Sequence, residues 1–398
     1  AALALPAGDI ARLAGASDGW SAEAVGEELR RVPGLRERAD DPRLRLLAAL
    51  CRQIAGLPRH LSQHPGGMVV CDRPLSELVP LQPAAMPGRT ICQWDKDGVA
   101  DAGFLKIDLL GLGMLSAVER CVGEVHRATG ESVDLSRIPL DDAEVYAEIR
   151  AADTVGVFQI ESRAQMQTLL RVQPACLDDL VVEVALVRPG PIQGGAVNPY
   201  IQRRMAQRAD PSIPIPYEHP LLEEPLRETL GVIVFQDQVL DVAQALAGFT
   251  PGQAEALRRA MSRRRSRAAL QGQWQAFAAG AAARGVPEHV AQSVFRQILA
   301  FSAFGFPKSH SAAFALLAYQ SAWLRRHHPA AFLSALLAEQ PMGFYPPASL
   351  IRDAERRDVQ VLPVDVSASH VEARCAGPRA VRLGLRQVHG IGESDALA

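Results

Sequence analysis

A short apolar stretch carries two charged residues at strand spacing. Side chains of a strand alternate between its faces, so FLKIDLLGLGML predicts a strand that buries Leu105, Ile107 and Leu109 against its neighbours. Lys106 and Asp108 then share the opposite face, where a carboxylate and an ammonium are both open to a partner. On their own, these two residues favour a surface ion pair over a functional site.

A run of cations follows the apolar face of a predicted helix. Arg258 and Arg259 come first, and a phosphate-binding role is favoured for both, because guanidinium groups form paired hydrogen bonds with phosphate oxygens. For the arginines that follow, a solvated helix end and a contact to a triphosphate or a backbone phosphate are equally consistent. These residues are Arg263, Arg264, Arg265 and Arg267.

The segment FGFPKSHSAAF places polar residues at the predicted start of an apolar helix. Free N–H groups and the positive end of the helix dipole favour an anion at such a start. Lys308, Ser309 and His310 therefore form a candidate phosphate or template contact. The alternative makes Ser309 a helix cap and His310 a core histidine.

The charge of the chain is unevenly distributed. The net charge is -2, yet residues 251–330 hold eleven Arg or Lys and only two acidic residues, Glu255 and Glu288. Aromatic residues interrupt this segment. The pattern favours a surface that binds nucleic acid or nucleotide over an ordinary solvated helix face, and it predicts DNA binding that weakens as salt rises.

The composition is that of a folded protein with several domains. At 398 residues the chain is too long for one compact core, and 48% of its residues are hydrophobic and 22% charged. No stretch reaches the roughly 18 apolar residues that span a bilayer. The six cysteines stand singly, without the C-x-x-C spacing of a zinc or redox site. We expect a cytoplasmic protein without membrane contact and, because the first residue is not Met, a fragment.

The spacing of apolar residues divides the chain into four predicted segments. Residues 1–60 are helical, and 61–114 alternate short apolar runs with turns, which is typical of strands. Residues 115–358 are mainly helical and 359–398 extended, so the predicted fold class is α+β, mainly α. Predicted helix starts are Asp141, Thr250 and Ser309, and predicted ends are Gly248, Gly285 and Pro329.

The segment QWDKDGVADAGFLKIDLLGLGML resembles the palm of bacterial C-family DNA polymerases, the DNA polymerase III alpha-subunit family. The resemblance implies that Asp108 is the third metal-binding aspartate, which joins an aspartate pair on a preceding palm strand to hold two Mg²⁺ ions. No P-D-x-D-x-D segment precedes Asp108 in this chain. Lys106 on the same strand becomes a candidate nucleotide contact.

The resemblance continues through most of residues 60–398 in the family's order. GVFQIESRAQMQTLLRVQP, VALVRPGPIQGGAVNPYIQRR and FGFPKSHSAAFALLAYQSAWLRRHHPAAF match its fingers domain. It implies a small nucleotidyltransferase-type palm sheet at 61–114, a helical thumb at 1–60 and large helical fingers at 115–358. Pro307 and the QPMGFY segment resemble the error-prone branch more than the replicative one.

Three further segments acquire candidate roles from this resemblance. Arg188 of RPGP stands beside a stiff turn, and it can line the nucleotide pocket or serve the fold. Glu161 and its neighbours in FQIES carry the same two alternatives. VHGIGES resembles the hairpin of a helix–hairpin–helix element, in which the backbone at Gly390 and Gly392 contacts a DNA phosphate.

The family implies template-directed DNA synthesis by transfer of a nucleotide to a primer 3′-hydroxyl. Its cofactor is Mg²⁺, and its partners are primer–template DNA and deoxynucleoside triphosphates. An error-prone member implies translesion synthesis in DNA repair, with a sliding clamp and accessory mutagenesis proteins as further partners. The alternative is a catalytically inactive DNA-binding or scaffold member of the same family. In either case we expect the fragment alone to lack turnover.

Overall fold

A computed structural model describes residues 3–16, 25–55, 64, 66–187, 197–262, 267–302 and 306–391. The chain forms two compact units, Ala1–Gly111 and Leu112–Ala398. They are called the first and the second unit below. Their boundary lies three residues before the predicted change from palm to fingers at 114.

The first unit begins with helices α1 (Ala7–Ala16), α2 (Val25–Arg31) and α3 (Pro42–Ile54). Asp41 caps α3 by accepting a hydrogen bond from Arg43 N, and Pro42 fits the first helical position because no N–H is needed there. Buried Leu29, Leu35 and Leu44 belong to a small core between α2 and α3. The predicted helical character of residues 1–60 is confirmed where the structure describes them.

Two small antiparallel sheets complete the first unit. β1 (Gly67–Val70) pairs with β4 (Leu105–Asp108), and β2 (Leu81–Pro83) pairs with β3 (Thr90–Cys92). The helix α4 (Lys96–Asp101) lies between β3 and β4 in the chain.

The predicted burial of the apolar residues of β4 is wrong. Leu105, Ile107 and Leu109 are 60%, 39% and 62% exposed. Among the described residues, β4 has one hydrogen-bonded neighbour, β1. These two strands form a two-stranded ribbon, and such a ribbon lacks a packed face of its own. Alternation predicts which side chains share a face, but not whether another layer covers that face.

The second unit is mainly helical. Its described helices are α5 (Gly113–Thr129), α6 (Ala143–Arg150), α7 (Arg163–Val172), α8 (Leu177–Leu186), α9 (Val197–Ala209), α10 (Glu223–Leu226), α11 (Gln236–Ala247), α12 (Pro251–Ser262), α13 (Arg267–Ala283), α14 (Glu288–Ser302), α15 (Lys308–His327), α16 (Pro329–Ala338) and α17 (Pro347–Glu355).

Capping explains several of these boundaries. Thr250 accepts a hydrogen bond from Gln253 N at 3.3 Å, which confirms the predicted start of α12. Gly248 ends α11 with φ +66°, a conformation that favours glycine. The predicted cap of α6 is wrong by one residue, since Asp142 rather than Asp141 caps this helix. The predicted helix end at Pro329 is confirmed, because α15 ends at His327, and Pro329 then begins α16.

Three apolar cores hold the second unit together. Helices α6, α7, α8 and α15 share the first, and α11 to α14 form another. In the third, the wholly buried α16 packs between α5 and a small sheet. This sheet has the order β5 (Gln360–Leu362), β7 (Ala380–Arg382), β6 (Arg374–Gly377), with β5 and β7 parallel. The predicted mainly helical fold with small sheets is confirmed.

A buried ionic network ties α6, α15 and α17 together. Arg325 of α15 is 3% exposed. Its Nη2 lies 2.8 Å from Asp153 Oδ1 and 2.8 Å from Asp353 Oδ2, and its Nη1 lies 3.4 Å from Glu148 Oε2. Arg357 contacts the same three carboxylates. The prediction of one continuous cationic surface over 251–330 is therefore wrong at Arg325, because acids distant in the chain neutralise it in the interior.

None of the helices in the described ranges combines the length and apolar character needed to cross a membrane.

Candidate functional site

The carboxylate of Asp108 lies at the carboxyl end of β4. Its side chain is 63% exposed. Oδ1 accepts a hydrogen bond from Leu110 N at 2.9 Å, which fixes the carboxylate against the turn that follows the strand. Oδ2 lies 3.6 Å from Nε2 of His64. One oxygen of the Asp108 carboxylate thus faces His64, while most of the side chain is exposed to solvent.

His64, Gly66 and Gly67 support this end of the strand. Gly67 is the cross-strand partner of Asp108. Leu109 N donates to Gly66 O at 2.8 Å, and a Cβ on Gly66 would lie 2.6 Å from Leu110 N, so glycine is required for this close approach. Gly66 N donates to His64 Nδ1 at 3.2 Å. A neutral imidazole therefore carries its proton on Nε2, the atom that faces Asp108.

Asp108 can supply one oxygen ligand to a magnesium ion. Mg²⁺ prefers carboxylate oxygens together with water and substrate phosphates, and an exposed aspartate at a strand end fits this preference. Among the described residues, no group of three or more His, Cys, Asp or Glu side chains could hold a metal ion. The described part of the chain therefore contributes a single carboxylate to such a site. Lys106 lies two residues away on the same face of β4.

A second candidate site lies in the second unit, where the amino ends of α11 and α15 meet. Gln236 N donates to Phe306 O at 2.9 Å, and Lys308 N donates to Asp237 Oδ2 at 2.7 Å. The ammonium of Lys308 bonds to the carboxylate of Glu228. The predicted helix start at Ser309 is wrong by one residue, because α15 begins at Lys308, so Ser309 lies inside the first turn and is not the cap. Asp237 of α11 satisfies the first N–H of α15 instead.

His310 lies on the surface of α15 between two aromatic rings. Its ring centroid is 4.8 Å from that of Phe306 and 4.1 Å from that of Phe314. The side chain is exposed, so the alternative of a core histidine is wrong. Ser309 is also exposed. Both side chains can reach a ligand at the amino end of α15.

Arg258 and Arg259 project from α12 toward one shared carboxylate. Arg258 forms a two-pronged contact with Glu255, at 2.8 Å from Nε and 2.7 Å from Nη2, and Arg259 Nε lies 2.9 Å from the same group. These hydrogen bonds, first that of Arg258, lower the pKa of Glu255 to about 2. The field of Asp237 also helps to raise the pKa of Arg258. Asp237 thus acts on Arg258 through its charge, and it also accepts the hydrogen bond from Lys308 N.

A buried glutamine holds the amino end of α11 in place. Gln238 is 2% exposed, and its Oε1 accepts hydrogen bonds from Val234 N at 2.9 Å and Phe235 N at 3.1 Å. Its Nε2 donates to Thr229 Oγ1 at 2.7 Å and to Pro225 O at 3.3 Å. The amide thus connects α11 to the turn that carries Glu228. A side chain with every bond satisfied in the interior holds one geometry.

Two family profiles match this chain. The profile of the bacterial DNA polymerase III alpha subunit finger domain matches residues 114–285, and that of the bacterial DNA polymerase III alpha NTPase domain matches residues 1–111. The chain belongs to the bacterial DNA polymerase III alpha-subunit family. This confirms the family expected from the FLKIDLLGL and fingers segments.

Several relatives that are similar to this chain are named error-prone DNA polymerases. The error-prone DNA polymerase of Alkalilimnicola ehrlichii is 49% identical over 99% of this chain and 38% of that protein. Those of Anaeromyxobacter dehalogenans and Pseudomonas fluorescens are each 46% identical, over 98% and 99% of this chain and 36% and 38% of those proteins. The chain thus spans little more than a third of these relatives.

One of the predicted DNA contacts near the end of the chain, Gly390, lies within the described residues. Gly390 is exposed, with φ +88°, and lies after the short turn Leu385–Gln387. The predicted sites that fall outside the described residues are Arg188, Arg263, Arg264, Arg265 and Gly392.

Other functional candidates appear only in the structure. The sequence pattern does not predict a functional role for His64, Asp237, Glu228 or Gln238. A signal existed for His64 alone, since the H-P-G-G segment combines a histidine with two glycines before a strand.

Proposed function

We propose that the protein to which this chain belongs is an error-prone DNA-directed DNA polymerase. The observation that carries the proposal is the exposed carboxylate of Asp108 at the end of β4, within a chain that matches error-prone polymerases along nearly all its length. The reaction joins a deoxynucleotide to a primer 3′-hydroxyl and releases pyrophosphate. Its partners are primer–template DNA and deoxynucleoside triphosphates.

Asp108 is proposed as one carboxylate ligand of a Mg²⁺ pair. Bound Mg²⁺ activates the primer hydroxyl and stabilises the charge on the leaving pyrophosphate. Two more carboxylates from outside the described residues complete the set. The Leu110 N–H and the His64 imidazole orient the Asp108 carboxylate. Lys106 on the same face of the strand is proposed to contact a phosphate.

The amino end of α15 is proposed to hold the triphosphate. Lys308 and Arg258 supply cationic donors, and the exposed hydroxyl of Ser309 and imidazole of His310 lie at the same helix end. Arg259 shares Glu255 with Arg258 and is a second candidate.

The remaining assignments extend this proposal along the chain. We assign a thumb to residues 1–60, a palm to 61–114 and fingers to 115–358, and the segment 359–398 leads into a hairpin that contacts DNA. Arg188 is proposed for the nucleotide, and contacts to DNA phosphates are assigned to Arg263, Arg264, Arg265, Gly390 and Gly392. Translesion synthesis, a sliding clamp and accessory mutagenesis proteins complete the expected role.

The second candidate function is a catalytically inactive DNA-binding or scaffold member. It is favoured by one observation, the single carboxylate that the described residues offer to a metal ion. The two functions differ in what the loss of Asp108 does.

The test is Asp108→Asn in the full polymerase. We expect primer extension to fall by about a hundredfold or more, because one charged ligand is lost where charge develops in the transition state. DNA affinity, measured by fluorescence anisotropy, stays unchanged. Asp72→Asn is the matched control, since Asp72 is exposed in the same unit and pairs with Arg73. Near-normal extension by the Asp108 variant contradicts the proposal.

A further inference from the structure

The cation proposed to bind nucleotide is already bound to a carboxylate of the chain. The Lys308 ammonium bonds to Glu228, which lies 80 residues earlier in the short turn Arg227–Thr229. Both side chains are about half exposed. A triphosphate that uses this ammonium must therefore compete with Glu228.

Further carboxylates surround the same lysine. Burial and the nearby charges of Asp237 and Glu228 raise the pKa of Asp241, while Lys308 acts in the opposite direction. Glu228 and Asp241 also line a cleft of about 790 Å³ together with Glu224. Several acids thus crowd around one ammonium, and the local field opposes an incoming polyanion unless a carboxylate withdraws.

The two carboxylates that contact Lys308 differ in how firmly they are held. Asp237 bonds to the backbone N–H of Lys308, and it lies next to Gln238, whose buried amide fixes the start of α11. Withdrawal of Asp237 would leave α15 uncapped. Glu228 contacts only the flexible end of the lysine side chain, so it can leave without a change of backbone.

We propose that Glu228 is an internal competitor that holds Lys308 in the nucleotide-free protein and releases it to the triphosphate, while Asp237 stays as the cap of α15. This inference rests on the proposed nucleotide site. An exposed ion pair shifts an equilibrium by about 1.4- to 5-fold, so Glu228 lowers nucleotide affinity by a factor in this range. The pair also keeps the lysine side chain at the site before the nucleotide arrives.

The test compares two neutralised glutamates in the 398-residue chain. Binding of dATP with Mg²⁺ is measured by isothermal titration calorimetry at low salt. Glu228→Gln is expected to tighten binding by about two- to fivefold. Glu224→Gln is the control, because Glu224 lines the same cleft and is 82% exposed, but pairs with Arg227. Removing the Glu224 charge leaves the pair of Lys308 with Glu228 intact, so the control is expected to change affinity by less than about 1.4-fold.

A double-variant cycle shows whether Glu228 acts through Lys308. Lys308→Ala is expected to weaken dATP binding, and adding Glu228→Gln to it should give no further change. Equal tightening by the two glutamate variants, or tightening that persists without Lys308, overturns the inference and leaves the nucleotide site intact. If Lys308→Ala leaves affinity unchanged, or if no protein in the series binds dATP, the proposed site itself fails.

Discussion

Replacing Glu161 by glutamine is expected to stabilise the second unit at neutral pH and to leave it unchanged in mild acid. Glu161 is 5% exposed, and burial raises the pKa of its carboxyl to about 7, although an N–H from Gly156 acts in the opposite direction. The carboxylate faces Gly343, where a Cβ would lie 3.5 Å from Oε1. Glutamine has the same shape and can still accept the Gly156 hydrogen bond.

The expected size follows from the shift in pKa. A glutamate in an unfolded chain titrates near 4.5, so the folded state keeps this proton over about 2.5 further pH units, and each unit is worth about 1.4 kcal/mol. The contribution of Glu161 is therefore most favourable below pH 4.5 and is lost progressively as pH rises to 7. Above pH 7 the variant is expected to exceed the original protein by up to about 3 kcal/mol in unfolding free energy.

The assay is urea unfolding followed by circular dichroism, at pH 4 and at pH 8. The difference between variant and original protein is the measured quantity, since other titrating groups cancel in it. Glu119→Gln on the exposed surface of α5 controls for a general effect of charge. If the difference in unfolding free energy is the same at both pH values, the titration of Glu161 is not its cause. If the variant is less stable than the original protein at pH 8, the predicted direction of the effect is wrong.

Two further predictions concern the cations of 251–330. The chain should bind primer–template DNA weakly and without sequence preference. With about four phosphate contacts, its affinity should fall about a hundredfold between about 50 and 200 mM salt. Fluorescence anisotropy measures this affinity, and an affinity that does not change with salt contradicts the prediction. Arg325→Met should cost about 3–5 kcal/mol in urea unfolding, because it leaves buried carboxylates around Asp353 partly uncompensated, whereas exposed Arg296→Met should cost little. If both substitutions lower the unfolding free energy equally, the buried ionic network does not stabilise the fold as predicted.

Local signals predicted the elements of the site well. Thr250 before α12 has a capping side chain, and the predicted start of α15 at Ser309 lies one residue after the first helical residue, Lys308. The location of Asp108 on a strand follows from alternation. Each of these features depends on residues within about one or two turns of chain, where sequence spacing translates directly into geometry.

The partners of these residues were beyond the reach of sequence spacing. Asp237 and Glu228 lie 71 and 80 residues from Lys308, and Asp153 lies 172 residues from Arg325. The charges of residues 251–330 are therefore almost all positive when counted along the sequence. Folding brings acidic residues from other segments into contact with the same cations. The segment is basic in sequence, but in the structure Lys308, Arg325 and Arg326 pair with acids from outside it.

This pairing changes what the cations can do for a polymerase. A cation that is buried in a network, as Arg325 is, has no oxygen-binding capacity left for DNA and serves the fold. A cation that is half exposed and paired with one half-exposed carboxylate, as Lys308 is with Glu228, can exchange its partner. Exposure of the ion pair, rather than the presence of the charge, thus separates structural cations from candidate ligand-binding ones. By this criterion Lys308 is the better candidate for contact with the triphosphate, and the loss of Arg325 should destabilise the second unit rather than weaken nucleotide binding.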